Sequence, residues 1–203
     1  MTATFANVSF HTAHDDAVFD LMADEDAFVS SAMLGWVTVY DRLADLGDLS
    51  RLADVTVRIS GALDCPALAM LVVEGDVFFY LLFERGELVD EYASEPDFYG
   101  EVTLDERAEL GGRPERLLPY AVPGVRLDQL RTLLKDSTLS AGDRCRALAD
   151  RLGIQNATLG YGDLLAKADG EAIAVVGWDL FQFSGDALAD DEPEPPSQNG
   201  HYV

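Results

Sequence analysis

The alternation of apolar and polar positions is densest between residues 67 and 93. ALAMLVV at 67–73, VFFYLLFE at 77–84 and ELVDEYA at 87–93 are β-rich runs separated only by Glu74-Gly75-Asp76 and by Arg85-Gly86. Connections this short join antiparallel neighbours, so the segment predicts a three-strand meander over about 67–93. In its middle strand Val77, Phe79, Leu81 and Phe83 alternate with Phe78, Tyr80 and Leu82, and both sets are apolar. A strand with two apolar faces is covered on both sides, which places it at the centre of its sheet. The third strand sets Leu88, Asp90 and Tyr92 against Glu87, Val89 and Glu91, and reads as a strand nearer solvent whose charges blunt edge pairing.

Upstream, FANVSF (5–10) lacks clean alternation and predicts a short edge strand; residues 32–40 predict another strand. Between them, Val18, Leu21 and Met22 behind Asp15 and Asp16 predict a short helix. Leu49, Leu52, Ala53, Thr56, Ile59 and Leu63 recur at three- and four-residue spacing, with Asp48 as cap and Pro66 as stop. That stripe predicts an amphipathic helix over about 48–63 lying on one face of the sheet. Helical spacing returns at 125–135, again behind Ser140 and Asp143 as far as Gly153, and at about 160–168. A last strand is expected over 172–183. The fold class is therefore α+β: a mainly antiparallel sheet with a helical C-terminal half, in a single domain over 3–185. Residues 186–203, acidic and proline-rich, have no packable face and are expected to be disordered.

Composition alters this picture mainly through charge. Of 203 residues 37 are acidic and 14 basic, a formal charge of −23. Residues 1–106 sum to −18, residues 107–151 to +3 and residues 152–203 to −8. A surface of this sign disfavours nucleic acid and anionic membrane, and suits either salt adaptation or a basic partner. The arginines of 107–151 are expected to pair with the acidic N-terminal half. No apolar run approaches the roughly 20 residues that span a bilayer, and the first twelve residues carry no basic n-region and no apolar h-region, so a cytoplasmic location is expected.

Among chemical motifs, no phosphate loop, dinucleotide fingerprint, zinc-protease helix, hydrolase elbow or EF-hand is present. No cofactor is expected. Cys65 and Cys145, eighty positions apart, read as buried reduced thiols. His11 and His14 beside Asp15 and Asp16 could hold a divalent ion on one helical turn, but no third ligand is identifiable. Arg113, Arg116, Arg126 and Arg131 could form an anion pocket, and Trp36 and Trp178 read as core. The Gly160-Tyr161-Gly162 triplet reads as loop or helix-entry geometry.

Residues 146–168 resemble the two-helix core of a helix-turn-helix: Ala149, Gly153 and Leu159 occupy the small, turn and packing positions, with Leu148, Leu152 and Ile154 as filling. The resemblance implies a DNA-binding regulator. Gly160 and Gly162 would interrupt its recognition helix, and no base lies between Arg151 and Lys167.

The densest polar group interleaves Asp90, Glu91, Glu95, Asp97 and Glu101 with Tyr92, Phe98 and Tyr99, and all of these except Glu91 form the expected partner-binding set. Its carboxylates could hold Mg²⁺ or Ca²⁺ in a small-molecule enzyme, although no spacing matches a carboxylate mechanism. Exposed aromatics ringed by acids suit recognition better, because they supply both anchor area and steering for a basic protein partner. The expected function is non-catalytic: an interaction module, of the immunity-inhibitor or adaptor kind.

Overall fold

The structure is a computed structural model and describes residues 4–184. It is an α+β architecture built on a seven-stranded sheet in which every paired neighbour is antiparallel. The strands are β1 (Phe5–His11), β2 (Ala27–Ser30), β3 (Trp36–Asp41), β4 (Pro66–Val73), β5 (Val77–Glu84), β6 (Glu87–Ala93) and β7 (Phe181–Ser184), in spatial order β6-β5-β4-β1-β3-β2-β7.

The segment expected at an edge, β1, is the middle strand of the seven, between β4 and β3. Its alternation is obscured because its polar residues are also buried, each with a partner. Asn7 donates through Nδ2 to the carbonyls of Ala157 (2.9 Å) and Leu159 (3.2 Å), and the Ser9 and Thr38 hydroxyls bond at 2.9 Å. Buried polar groups whose donors are bonded are tolerated within a core, although the Asn7 Oδ1 has no partner among the described residues, so burial here leaves no hydrophobic signature.

The strand expected at 32–40 is instead the second arm of a hairpin. Leu34 and Gly35 both have positive φ (52° and 87°), as a two-residue hairpin turn requires, and Met33 and Trp36 exchange backbone bonds across it. β2 precedes the turn as a separate strand. Of the described residues from 172 onward only Phe181–Ser184 is strand, not 172–183. There Asn156 accepts the Val176 amide and donates to the Val176 carbonyl, holding the irregular approach in place. Trp178 is consequently half-exposed, whereas Trp36 is core and donates its indole N–H to the Leu152 carbonyl at 2.8 Å.

Helix α1 (Asp15–Leu21) and helix α2 (Leu49–Ala62) cover one face of the sheet. The Asp48 carboxylate accepts the Arg51 amide at 3.0 Å and opens α2, which turns Leu52, Val55 and Ile59 onto Ala6, Val8, Phe10 and Leu71. Short helices α3 (Leu104–Glu109) and α4 (Pro114–Leu117) follow β6. Helices α5 (Leu127–Lys135) and α6 (Ala141–Leu152) join α4 over the opposite face, burying Leu130, Leu133, Cys145 and Leu148 against Met70, Phe78, Tyr80 and Leu82. Helix α7 (Tyr161–Ala168) packs with Phe28 and Tyr40 near β7.

β5 is thus covered on both faces, yet it lies second from an edge rather than at the centre. Two apolar faces report the layers above and below a strand, not its distance from the edge of the sheet. β6 is one edge strand and β7 the other. No helix among the described residues is long and apolar enough to cross a membrane. Residues 186–203, expected to be disordered, lie outside the described residues.

Candidate functional site

β6 ends where Ser94 takes over from the ladder, its hydroxyl accepting the Phe78 amide at 3.0 Å. The chain then makes two tight turns, Phe98 N–H to the Glu95 carbonyl and Gly100 N–H to the Asp97 carbonyl. Thr103 caps α3 in a reciprocal box with Glu106. Asp97 fastens the loop to that helix: its carboxylate accepts the Arg107 guanidinium (2.7 Å to Oδ1) and the Val102 amide (3.2 Å). These bonds hold the Asp97 carboxyl below the usual carboxylate range, the Arg107 guanidinium contributing most, so it stays charged.

This bracing presents two aromatic rings. Phe98 is 38% exposed and Tyr99 66%, with ring centroids 5.0 Å apart, and Tyr99 stacks on the buried Phe79 at 5.6 Å. Glu95, Asp97 and Glu101 are exposed around them, as are Asp105 and Glu106 of α3. Five of the seven expected residues, Glu95, Asp97, Phe98, Tyr99 and Glu101, therefore share one exposed loop. Leu104, 84% exposed, was missed. Its sequence signal was an apolar residue directly after a capping threonine, on no apolar stripe.

Asp90 and Tyr92 do not join that surface; each is only 4% exposed. Tyr92 stacks on Tyr80 at 5.3 Å and donates its hydroxyl to the Leu134 carbonyl at 2.8 Å. Asp90 accepts the Tyr80 hydroxyl (2.8 Å) and the Arg113 amide (2.9 Å) through Oδ2, while Oδ1 has no partner. The local pattern of β6 could not reveal this. The cover comes from residues 110–113 and α5, which close over that face from later in the chain. Gly112 fits there because it has no side chain; a Cβ would stand 2.5 Å from the Tyr80 hydroxyl.

Burial raises the Asp90 carboxyl above its ordinary value. The folded protein then holds that proton more tightly than the unfolded chain does. Lowering the pH from neutral through the folded-state pKa, down to the ordinary carboxyl value, should add stability at this residue. Asp90→Asn abolishes the titration. In urea melts between pH 7 and pH 4, wild type should therefore gain on Asp90→Asn as the pH falls; a constant difference would refute the assignment.

The remaining candidates are dispersed. His11 lies edge-on to Trp36 (4.8 Å) and beside Tyr120 (5.7 Å), His14 is exposed, and no group of three or more His, Cys, Asp or Glu among the described residues is arranged to hold a metal ion. Cys65 and Cys145 are buried free thiols, as expected, with pKa values pushed up by burial to about 11 and about 12. They remain protonated near neutral pH.

The arginines of 107–151 do not, as a set, pair with the N-terminal half. Arg126 pairs with Asp128, Arg131 with Glu115 and Arg146 with Asp143, all within the same segment; Arg107 with Asp97 is the exception. Proximity in sequence makes these the less costly pairs to close. The anion-pocket arginines Arg126 and Arg131 are thus each matched by a neighbouring acid.

Helices α6 and α7 are separated by residues 153–160, longer than the three- to four-residue turn of a helix-turn-helix. They pack on different strands, α6 on β4 and β5, α7 on β1 and β2. Gly160 does not interrupt a helix but stands as the N-cap of α7.

No protein-family model, no curated protein and no solved structure matches this chain.

Proposed function

We propose that the chain is a non-catalytic interaction module that engages a basic protein partner through the loop 95–101 and the adjoining α3. In this reading the meander over about 67–93 and the helical C-terminal half form the platform of one α+β domain spanning about 3–185. The observation that carries it is the pair Phe98 and Tyr99: two exposed rings propped on Phe79 and surrounded by carboxylates. Aromatic side chains on a braced loop give binding area at low entropic cost, and the acids steer a cationic partner toward them. Immunity-type inhibition and adaptor function both fit this arrangement.

Affinity capture from native lysate at low salt should recover basic proteins that are released by about 0.5 M salt, beyond the range at which surface charges act. The double variant Phe98→Ala/Tyr99→Ala should weaken recovery roughly tenfold or more, a loss typical of aromatic anchors. Equal recovery by wild type and double variant would defeat the reading.

A further inference from the structure

We propose that the cleft along the outer edge of β6 binds an arginine side chain of the basic partner, a proposal that rests on the interaction reading above and names its specificity contact. The cleft, about 260 Å³, is lined by Leu88, Val89, Asp90, Glu91, Glu109 and Arg113. It therefore sets three carboxylates against one guanidinium. β6 is an end strand of the sheet; at its far end Ala93 donates to the Leu110 carbonyl and Tyr92 bridges to Gly111, and before that point no strand among the described residues covers its outer side. A chain approaching this edge meets exposed Leu88 and the acids together.

Asp90 separates this cleft from an ordinary acidic surface. It is a buried carboxylate with one oxygen fully used by Tyr80 and Arg113 and the other without a partner, and it forms part of the cleft lining. A charge in that position exerts its field in a low-dielectric wall, where it is screened far less than Glu91 or Glu109. Burial raises the Asp90 and Glu91 carboxyls, and Arg113 lies near enough to offset part of that rise, yet it forms no ion pair within 4.0 Å with a described carboxylate. The cleft thus tolerates one guanidinium at its rim and remains negative. The carboxylates do not converge as metal ligands do. A planar guanidinium with five donors can bridge acids that a spherical ion cannot, which favours arginine over both a metal and lysine.

The test is a titration of the full chain with N-acetyl-arginine amide, followed by amide chemical shifts. Saturable shifts confined to residues 88–91 and 109–113 are expected. Affinity should fall about threefold to fivefold in Glu109→Gln and rise in Arg113→Ala, which keeps the backbone bond to Asp90; changes of this size are those of a single partly exposed ion pair. N-acetyl-lysine amide should bind more weakly. Glu109 is exposed, so its variant should fold. Absence of saturable shifts at the cleft, or equal affinity in Glu109→Gln and wild type, overturns the proposal. If that happens while Phe98→Ala/Tyr99→Ala still loses its basic partners, the arginine site falls and the interaction surface stands. Arginine binding at the cleft with captures indifferent to the double variant would show the reverse.

Discussion

Gly160→Ala should destabilise the protein by about 2–4 kcal/mol, while Gly162→Ala, two residues away in the same triplet, should be neutral or stabilising by up to about 1 kcal/mol. Gly160 has φ −112° and ψ 179°, an extended backbone open to any residue, so conformational strain is not the cause. The cause is Asp45. A Cβ at residue 160 would lie 2.1 Å from its Oδ1. That carboxylate cannot simply swing away, because it accepts the Ala6 amide at 3.1 Å and the Gly162 amide at 3.0 Å, tying β1 to the first turn of α7. Moving it gives up charge-assisted bonds, each worth about 1.5–3 kcal/mol. At Gly162 the added carbon would sit 3.7 Å from the same carboxylate, an ordinary contact, and alanine is the better helix former. Urea melts of the two variants measure the contrast. In an Asp45→Ala background the Gly160→Ala penalty should shrink to a small fraction; a penalty that persists unchanged would show that something other than Asp45 imposes the glycine.

Those two glycines also mark the boundary of what sequence pattern can convey. The reading as helix entry was available locally, and so was α2, because a cap at Asp48 and apolar residues three and four apart are properties of one segment. The partner that makes Gly160 necessary lies 115 positions earlier, and no window along the chain contains both. The same reason explains β1: the amide nitrogen of its buried Asn7 donates to carbonyls of Ala157 and Leu159, so the polar residue looks like an edge signal until the distant acceptors are known. The hairpin at 31–35 was hidden differently. Its turn places Leu34 at positive φ, a conformation that residue seldom adopts, so only Gly35 signalled a break. At the candidate site the exposed loop 95–101 was legible, because glycine, proline and consecutive charges are local marks. The separation of Asp90 and Tyr92 from it was not, since it depends on residues 110–113 and α5 folding back.

Arg144→Met should cost about 2–4 kcal/mol, enough to lower Tm by roughly 5–12 °C in a chain of this size. Arg144 is 5% exposed and forms no described salt bridge with an acid; its work is done on carbonyls. Nη1 donates to Leu133 (2.9 Å) and Leu134 (3.0 Å), and Nη2 to Asp136. Helix α5 closes on Asp136 with φ −74° and ψ 101°, so no left-handed residue turns the chain back to satisfy its final carbonyls. The guanidinium of the neighbouring helix supplies those donors and places positive charge at the negative end of the helix dipole. Methionine keeps much of the apolar stem and removes every guanidinium donor, leaving the Leu133 carbonyl only the long Asp136 amide bond (3.4 Å) and the Asp136 carbonyl without its guanidinium donor. Lysine, with one nitrogen, should recover part of the loss. Because the acceptors are uncharged and buried, the deficit should be nearly the same at low and high salt, unlike that of an exposed ion pair. Equilibrium unfolding of the methionine and lysine variants at two ionic strengths distinguishes the cases: a methionine variant within about 0.5 kcal/mol of wild type, as for an ordinary surface change, would show that α5 ends without needing Arg144. The Leu134 carbonyl also accepts the Tyr92 hydroxyl. Loosening the end of α5 should therefore reach β6 and, through it, the loop that carries Phe98 and Tyr99, so under the proposed interaction reading the methionine variant should also recover less basic protein at temperatures where it is still folded.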